Sequence, residues 1–208
     1  MIPVITIDGP SGSGKGTIGQ LLAKTLGWHF LDSGILYRVL AMTALKQHID
    51  LTDVAALEKL ALNLEIKITE EIRTEQCGKA ASEIAKLPQV RQALLTRQRA
   101  ARQLPGLVAD GRDMGTVVFP DAKLKIYLTA SQEERANRRY KQLQEGGINV
   151  SLHDVLQELI ARDKRDEQRD ISPLRPAKDA KIIDTTNLTI DEVSQRVMDL
   201  AREVLFTE

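Results

Sequence analysis

The chain has 208 residues, 42% hydrophobic and 28% charged, enough for one domain whose core needs no disulfide or structural metal. Its 29 Lys+Arg balance 29 Asp+Glu and only 3% are aromatic, so it lacks both the basic excess and the stacking surfaces of a non-specific nucleic-acid binder. The one cysteine, Cys77, excludes a disulfide framework and an all-cysteine zinc site, and no apolar run reaches the ~18 residues of a membrane helix.

In chain order, Pro3-Val4-Ile5-Thr6-Ile7-Asp8 reads as a buried strand that stops at a Gly/Ser/Pro cluster. From Lys15, Ile18, Leu21, Leu22 and Leu26 recur at helical spacing. Residues 28–31 read as a second strand, followed by a helix with Leu36, Val39, Leu40 and Ala44 on one face. The pattern then predicts a helix over 53–62, a strand-like piece over 64–69, and helices over 74–102 broken near Pro88. Three more short apolar runs, at 107–109, 124–128 and 180–183, read as strands. Capping boxes at Ser131/Glu134, Ser151/Asp154 and Thr189/Glu192 mark helix starts among them. The stretch 172–176 (Ser-Pro-Leu-Arg-Pro) reads as hinge-like. Short apolar strands alternating with longer helices predict an α/β fold with a parallel sheet covered on both faces.

The most specific motif is Gly9-Pro10-Ser11-Gly12-Ser13-Gly14-Lys15-Gly16-Thr17, between the first strand and helix. Glycines let backbone N–H groups curl around a phosphate, the helix start adds partial positive charge, and Lys15 reaches the β- and γ-phosphates. The usual pattern ends Gly-Lys-Ser/Thr. Here Gly16 takes the last place, so Thr17 is expected to supply the Mg²⁺-binding hydroxyl.

Three other constellations are expected beside this cradle, because strand C-termini share one edge of a doubly wound sheet. In Asp32-Ser33-Gly34-Ile35-Leu36-Tyr37-Arg38, Ser33 is expected to cap a helix and bind an anion, and Arg38 offers a planar fork to phosphate oxygens. In Asp110-Gly111-Arg112-Asp113-Met114-Gly115, the acidic strand end suits Mg²⁺ held through water and Arg112 is expected to face the transferring group. Arg135, Arg138 and Arg139 share one helix face, and Arg162, Asp166 and Arg169 share another. Phosphoryl transfer needs several cations around three charged oxygens, which makes these arginines candidates. His29, His48 and His153 are given no role, since an anionic acceptor phosphate needs no strong base.

Taken with GPSGSGKGT and LDSGILYR, the segments LVADGRDMGTVVFPDAKLKIYL and ARDKRDEQRDISPL give a sequence that resembles the bacterial cytidylate kinase family over nearly its whole length. The resemblance implies a P-loop three-layer kinase domain over 1–208. Its core is expected at about 1–32, 104–145 and 178–208, a monophosphate-binding region at about 33–103, and a helical lid at about 146–170. It implies transfer of phosphate from MgATP to CMP or dCMP, with Lys15, Arg112 and Arg138 in catalysis and Gly9 to Thr17 on ATP. Ser33, Arg38 and Arg112 would hold the acceptor phosphate, with Tyr37 and Asp110 beside it. Ser82, Arg91, Asp113 and Arg169 would read the cytosine edge, Arg162 and Asp166 would touch the ribose, and adenine would pass near Arg138. One departure stands out. Where the family carries a longer insert after the 64–69 stretch, Thr69 meets Glu70 directly, which bears on closure and affinity but not on the cradle or the arginines.

The runner-up reading within the kinases is another acceptor: adenylate, uridylate or a sugar-like alcohol. A guanine-reading switch is disfavoured, because no Asn-Lys-x-Asp run is present. The N-terminus reads as free of a secretory leader, so the two Asn-x-Ser/Thr triplets are read as chance matches. A cytoplasmic monomer whose partners are small nucleotides, with no nucleic acid or membrane, is the expectation.

Overall fold

Five β-branched or aliphatic runs pair into one parallel sheet in the computed structural model, which describes residues 1–206. The strands are β1 (Val4–Asp8), β2 (His29–Asp32), β3 (Leu107–Gly111), β4 (Leu124–Thr129) and β5 (Lys181–Asp184), in the order β2-β3-β1-β4-β5. Register follows the hydrophobic run: Ile5 lies opposite Val108 and Leu124, and Asp8 opposite Gly111 and Tyr127. Central β1 and β3 are buried throughout, as strands covered on both faces must be.

Helices α1 (Lys15–Leu26) and α8 (Ile190–Phe206) cover one face, where Ile18, Leu22, Val193 and Val197 meet Ile5, Ile7 and Ile126. Met114, Val118 and Phe119, on and just after a short π-helical turn (Met114–Val118), cover Val4 and Leu107 on the other. A second core forms between α2 (Ser33–Lys46), α3 (Val54–Leu62), α4 (Glu75–Ile84) and α5 (Pro88–Ala100) around Leu40, Leu57, Ile84 and Leu94. Each such fully buried aliphatic side chain contributes about 1.5–3 kcal/mol, so this helical region has a core of its own. A small third cluster, Ala136, Val155 and Leu159, joins α6 (Gln132–Glu145) to α7 (Leu152–Glu167). Among the described residues no helix is long and apolar enough to cross a membrane.

The predicted elements form with small shifts at their ends: Asp53 is the N-cap of α3 rather than its first residue, and Pro88 opens α5. The capping boxes differ in completeness. Thr189 and Glu192 satisfy each other's backbone N–H, whereas at Ser131 only the forward bond to Glu134 N forms, and the Ser131 N–H donates to Thr186. Two expectations fail. The 64–69 stretch pairs with no strand: Ile66 and Ile68 are more than half exposed, and only a 3₁₀ turn (Glu70–Arg73) follows. A strand needs a partner ladder, and none lies beside this segment. The 172–176 stretch is anchored rather than hinge-like, with Leu174 buried and its N–H bonded to the Asp166 carbonyl.

Candidate functional site

The sheet's C-terminal edge carries a cleft of about 260 Å³, lined by the ends of β2 and β3 and by the loop that follows β1. Between β1 and α1 the chain must reverse in six residues, which requires left-handed backbone at Gly12 (φ 77°) and Gly14 (φ 87°). A Cβ at Gly12 would come 3.0 Å from Arg135, so the loop apex also lies tight against α6. Lys15 turns back over this loop, Nζ donating to the Pro10 carbonyl at 3.0 Å. Burial, with Arg112 nearby, pulls its ammonium down to about 8. It is a cation short of anions.

Lys15, Arg38 and Arg112 all line this one cleft, as do Ser33, Tyr37, Ser82, Arg91 and Asp110. Asp113, Arg162, Asp166 and Arg169 complete it. Ser33 lies inside the first turn of α2, and the cap is instead Asp32, whose carboxylate accepts from Ile35 N at 3.2 Å. That corrects the expected capping role of Ser33 and leaves its hydroxyl at the cleft. Arg38 donates to the carbonyls of Ile72 (2.6 Å) and Thr74 (3.4 Å), which aim its guanidinium. Arg91 pairs with Asp113 and stacks over the Tyr37 ring with its carbon 5.7 Å from the centroid. Burial pushes the Tyr37 hydroxyl up to about 12, and that oxygen and Ser82 Oγ have no hydrogen-bond partner among the described residues. Buried polar atoms left open in a cleft are what a hydrogen-bonding ligand satisfies.

Asp166 is the centre of the cationic wall. Arg112 Nε donates to it at 3.0 Å, Arg162 lies at 4.0 Å, and Arg169 at 3.8 Å. Burial alone would raise this carboxyl, but Arg112, Arg162 and Arg169 together hold it below its ordinary value. Burial and the neighbouring Arg112 lower Arg162 to about 9, a further sign of excess positive charge. Asp110 lies beneath, raised to about 7 by burial despite Lys15.

The arginines of α6 do not act as one face. Arg135 is enclosed: Nη1 donates to Ser11 O at 3.1 Å, Nε to Ala130 O at 3.1 Å, and Nη2 pairs with Asp163 of α7 at 2.6 Å. Arg138 points away to a second cavity of about 360 Å³ beyond the loop, held by Glu134 and both Thr185 oxygens. The structure therefore does not bring Arg138 to the Lys15–Arg112 cleft. Arg139 faces a third cavity, about 240 Å³, between α4 and α7. Thr17 shares the second cavity with Arg138, because one residue of helix rotates it about 100° from Gly16, whose own Cβ position lies 3.2 Å from Asp110.

Sequence reasoning missed Asp8, Asp32 and the Arg135–Asp163 pair. A signal existed for Asp32, an acidic residue directly before a helical run; none existed for the pair, whose members lie 28 positions apart.

In the third cavity Glu158 of α7 faces Glu75 of α4. Burial, then the hydrogen bond with Glu75, raises Glu158 from 4.5 to about 7. The folded chain thus keeps a proton that the unfolded chain releases between pH about 4.5 and about 7. Stability contributed by this contact is present at the acid end and is lost as pH rises through that window. Calorimetry of the ligand-free protein is expected to show a smaller fall in Tm from pH 5 to 7 for Glu158→Gln than for wild type. An equal fall would assign the slope elsewhere.

Comparison with known proteins shows the fold and the family. Among solved structures, the shikimate kinase of Acinetobacter baumannii superposes with a TM-score of 0.51 at 19% identity, covering 100% of this chain and 97% of that one, a likeness of fold. The cytidylate kinase of Aeromonas salmonicida (strain A449) is 54% identical, over 99% of this chain and 96% of its own length. That of Stutzerimonas stutzeri (strain A1501) is 55% identical over 95% and 94%. The Aeromonas alignment spans 221 positions, more than the 208 residues present, so the relative carries residues with no counterpart here. The family model described as cytidylate kinase matches residues 5–203, and the chain belongs to that family.

Proposed function

We propose that this chain transfers the γ-phosphate of MgATP to CMP or dCMP, giving ADP and CDP or dCDP, a reaction of pyrimidine nucleotide metabolism. The observation that carries the reading is the single cleft in which Lys15, Arg38, Arg112, Arg162 and Arg169 converge around unpartnered polar groups. Two mutually repelling anions need such a cluster to approach end to end.

ATP lies with its phosphates in the Gly9–Thr17 loop and its base in the second cavity near Arg138, which makes Arg138 a donor-side group. Arg38, Ser33 and Arg112 hold the acceptor phosphate. Asp113, positioned by Arg91, takes the cytosine amino group, with Ser82, Tyr37 and Arg169 around the ring, and Arg162 and Asp166 reach the ribose. Leaving such groups unpaired is how a polar site rejects a mismatched base. We read the core, the 33–103 region and the 146–170 lid as parts that close on one another; the helical core around Leu40 and Leu94 supports the 33–103 region as a unit, and the Ala136–Val155–Leu159 cluster ties the lid to α6.

Magnesium fits the residues present. The oxygen donors on offer are the Asp110 carboxylate at the cleft and the Thr17 hydroxyl, hard ligands of the kind taken by an ion that arrives with the phosphates and most of its waters. Asp110, through water, would hold it at the Lys15 cleft, while Thr17, which opens to the second cavity, would reach it only from the donor side, and the ion's charge would offset that of the phosphates. We read the chain as a cytoplasmic monomer whose partners are small nucleotides.

A coupled ADP-release assay across the nucleoside monophosphates tests the reading. CMP and dCMP are expected to turn over fastest. Faster turnover of AMP would overturn the acceptor, and ATP consumption independent of any acceptor would overturn the kinase.

A further inference from the structure

Arg112 and Asp113 stand side by side in sequence yet take different partners in the cleft, one reaching Asp166 and the other Arg91. A dipeptide on a turn would ordinarily sample many orientations. Here both of its flanks are tied to one residue. Gly111, before it, is the ladder partner of Asp8 at the last position of β1 and β3. Met114 and Gly115, after it, each donate a backbone N–H to the Asp8 carboxylate, to Oδ1 and Oδ2, both at 2.8 Å. These two N–H groups open the π-helical turn, where no intrahelical acceptor exists for them. Asp8 also directly precedes Gly9, so one residue joins the start of the phosphate loop to the turn that carries Arg112 and Asp113.

The enclosure of Asp8 is the second observation. Its side chain is 4% exposed and, among the described residues, forms no ion pair within 4.0 Å. A carboxylate held that way is costly unless its hydrogen bonds do something an apolar residue would not. Gly115 allows the close approach, since a Cβ there would meet Thr6 Oγ1 at 2.8 Å.

We infer that Asp8 is a positioning residue of the reaction: by gripping the amides of Met114 and Gly115 it sets Arg112 and Asp113 at a fixed distance from the phosphate loop, and so couples recognition of the acceptor to the donor's place. It touches no reacting atom. Asn at this position keeps the shape but offers one acceptor oxygen for two amides, and its NH₂ faces the second N–H.

The inference rests on the proposed acceptor site, so the wild-type substrate panel is run first and the variants are compared on whichever monophosphate the wild type prefers. Asp8→Asn and Asp8→Ala are expected to lower kcat/KM for that acceptor about 10- to 100-fold, the size of loss that follows a misplacement of about 1 Å. Preference for its base over the others should shrink, while KM for ATP stays within about twofold. Normal acceptor kinetics and base preference in a folded variant, even one with a lower Tm, would overturn the inference and leave Asp8 a stability residue. Equal losses toward ATP and acceptor would overturn it too, by assigning Asp8 to the phosphate loop. Should neither variant fold, amide hydrogen exchange of the wild type decides. Met114 and Gly115 are expected to be protected as well as the amides of β1, and fast exchange at both would sink the idea.

Discussion

Lys15→Ala is expected to lower kcat about 10³-fold, the loss seen when one preorganised charge is removed from a developing transition state. The same change should leave Tm unchanged or raise it. Lys15 is partly buried, its ammonium is pulled down to about 8 mainly by burial, and among the described residues its one hydrogen bond is to a carbonyl of the same loop. A cation so placed is unfavourable in the ligand-free fold and becomes favourable when phosphate arrives. Steady-state kinetics with calorimetry check both halves. Turnover within tenfold of wild type would remove Lys15 from catalysis.

Arg112→Ala is expected to cost about 10³-fold in kcat/KM as well, with the opposite effect on stability. Its guanidinium is bonded to Asp166 at 3.0 Å, and removing it leaves a buried carboxylate with only the longer contacts to Arg162 and Arg169. Loss of one partner of a buried ion pair costs more than the pair is worth, so Tm should fall. Arg112→Lys is not expected to restore activity, because an ammonium cannot reproduce the planar fork that meets Asp166 and a phosphate together. Recovery to near wild-type rate with lysine would show that charge alone suffices at this position.

These two cases show how far the sequence could be read. The order of strands and helices was legible because the runs ending at Asp8, Asp32 and Asp110 are bounded by turn residues, and parallel pairing then forces their ends together. Lys15, Arg38 and Arg112 could be predicted to share a cleft by that topology alone. What periodicity could not tell was which partner each charge would choose. Arg135, Arg138 and Arg139 lie within one arc of α6, yet Asp163, Thr185 and the third cavity draw them three ways. Asp166 looked like an ordinary i,i+4 partner of Arg162, but its shortest contact comes from Arg112, 54 residues away. The 64–69 stretch failed for a different reason: its alternation was right for a strand, but a strand is a property of two segments, and the second is missing.

That stretch has a further use. Its upstream end is fixed by buried Leu64 and its downstream end by the Lys46–Glu71 ion pair and the bond from Arg38 to Ile72, so the solvated span between carries no structural load. Foreign sequence grafted at Ile68, which is 61% exposed, should ride outside the fold. A fluorophore attached there would sit a few residues before Ile72, whose carbonyl accepts from the arginine that is to grip the acceptor phosphate, giving an optical reporter of nucleotide arrival.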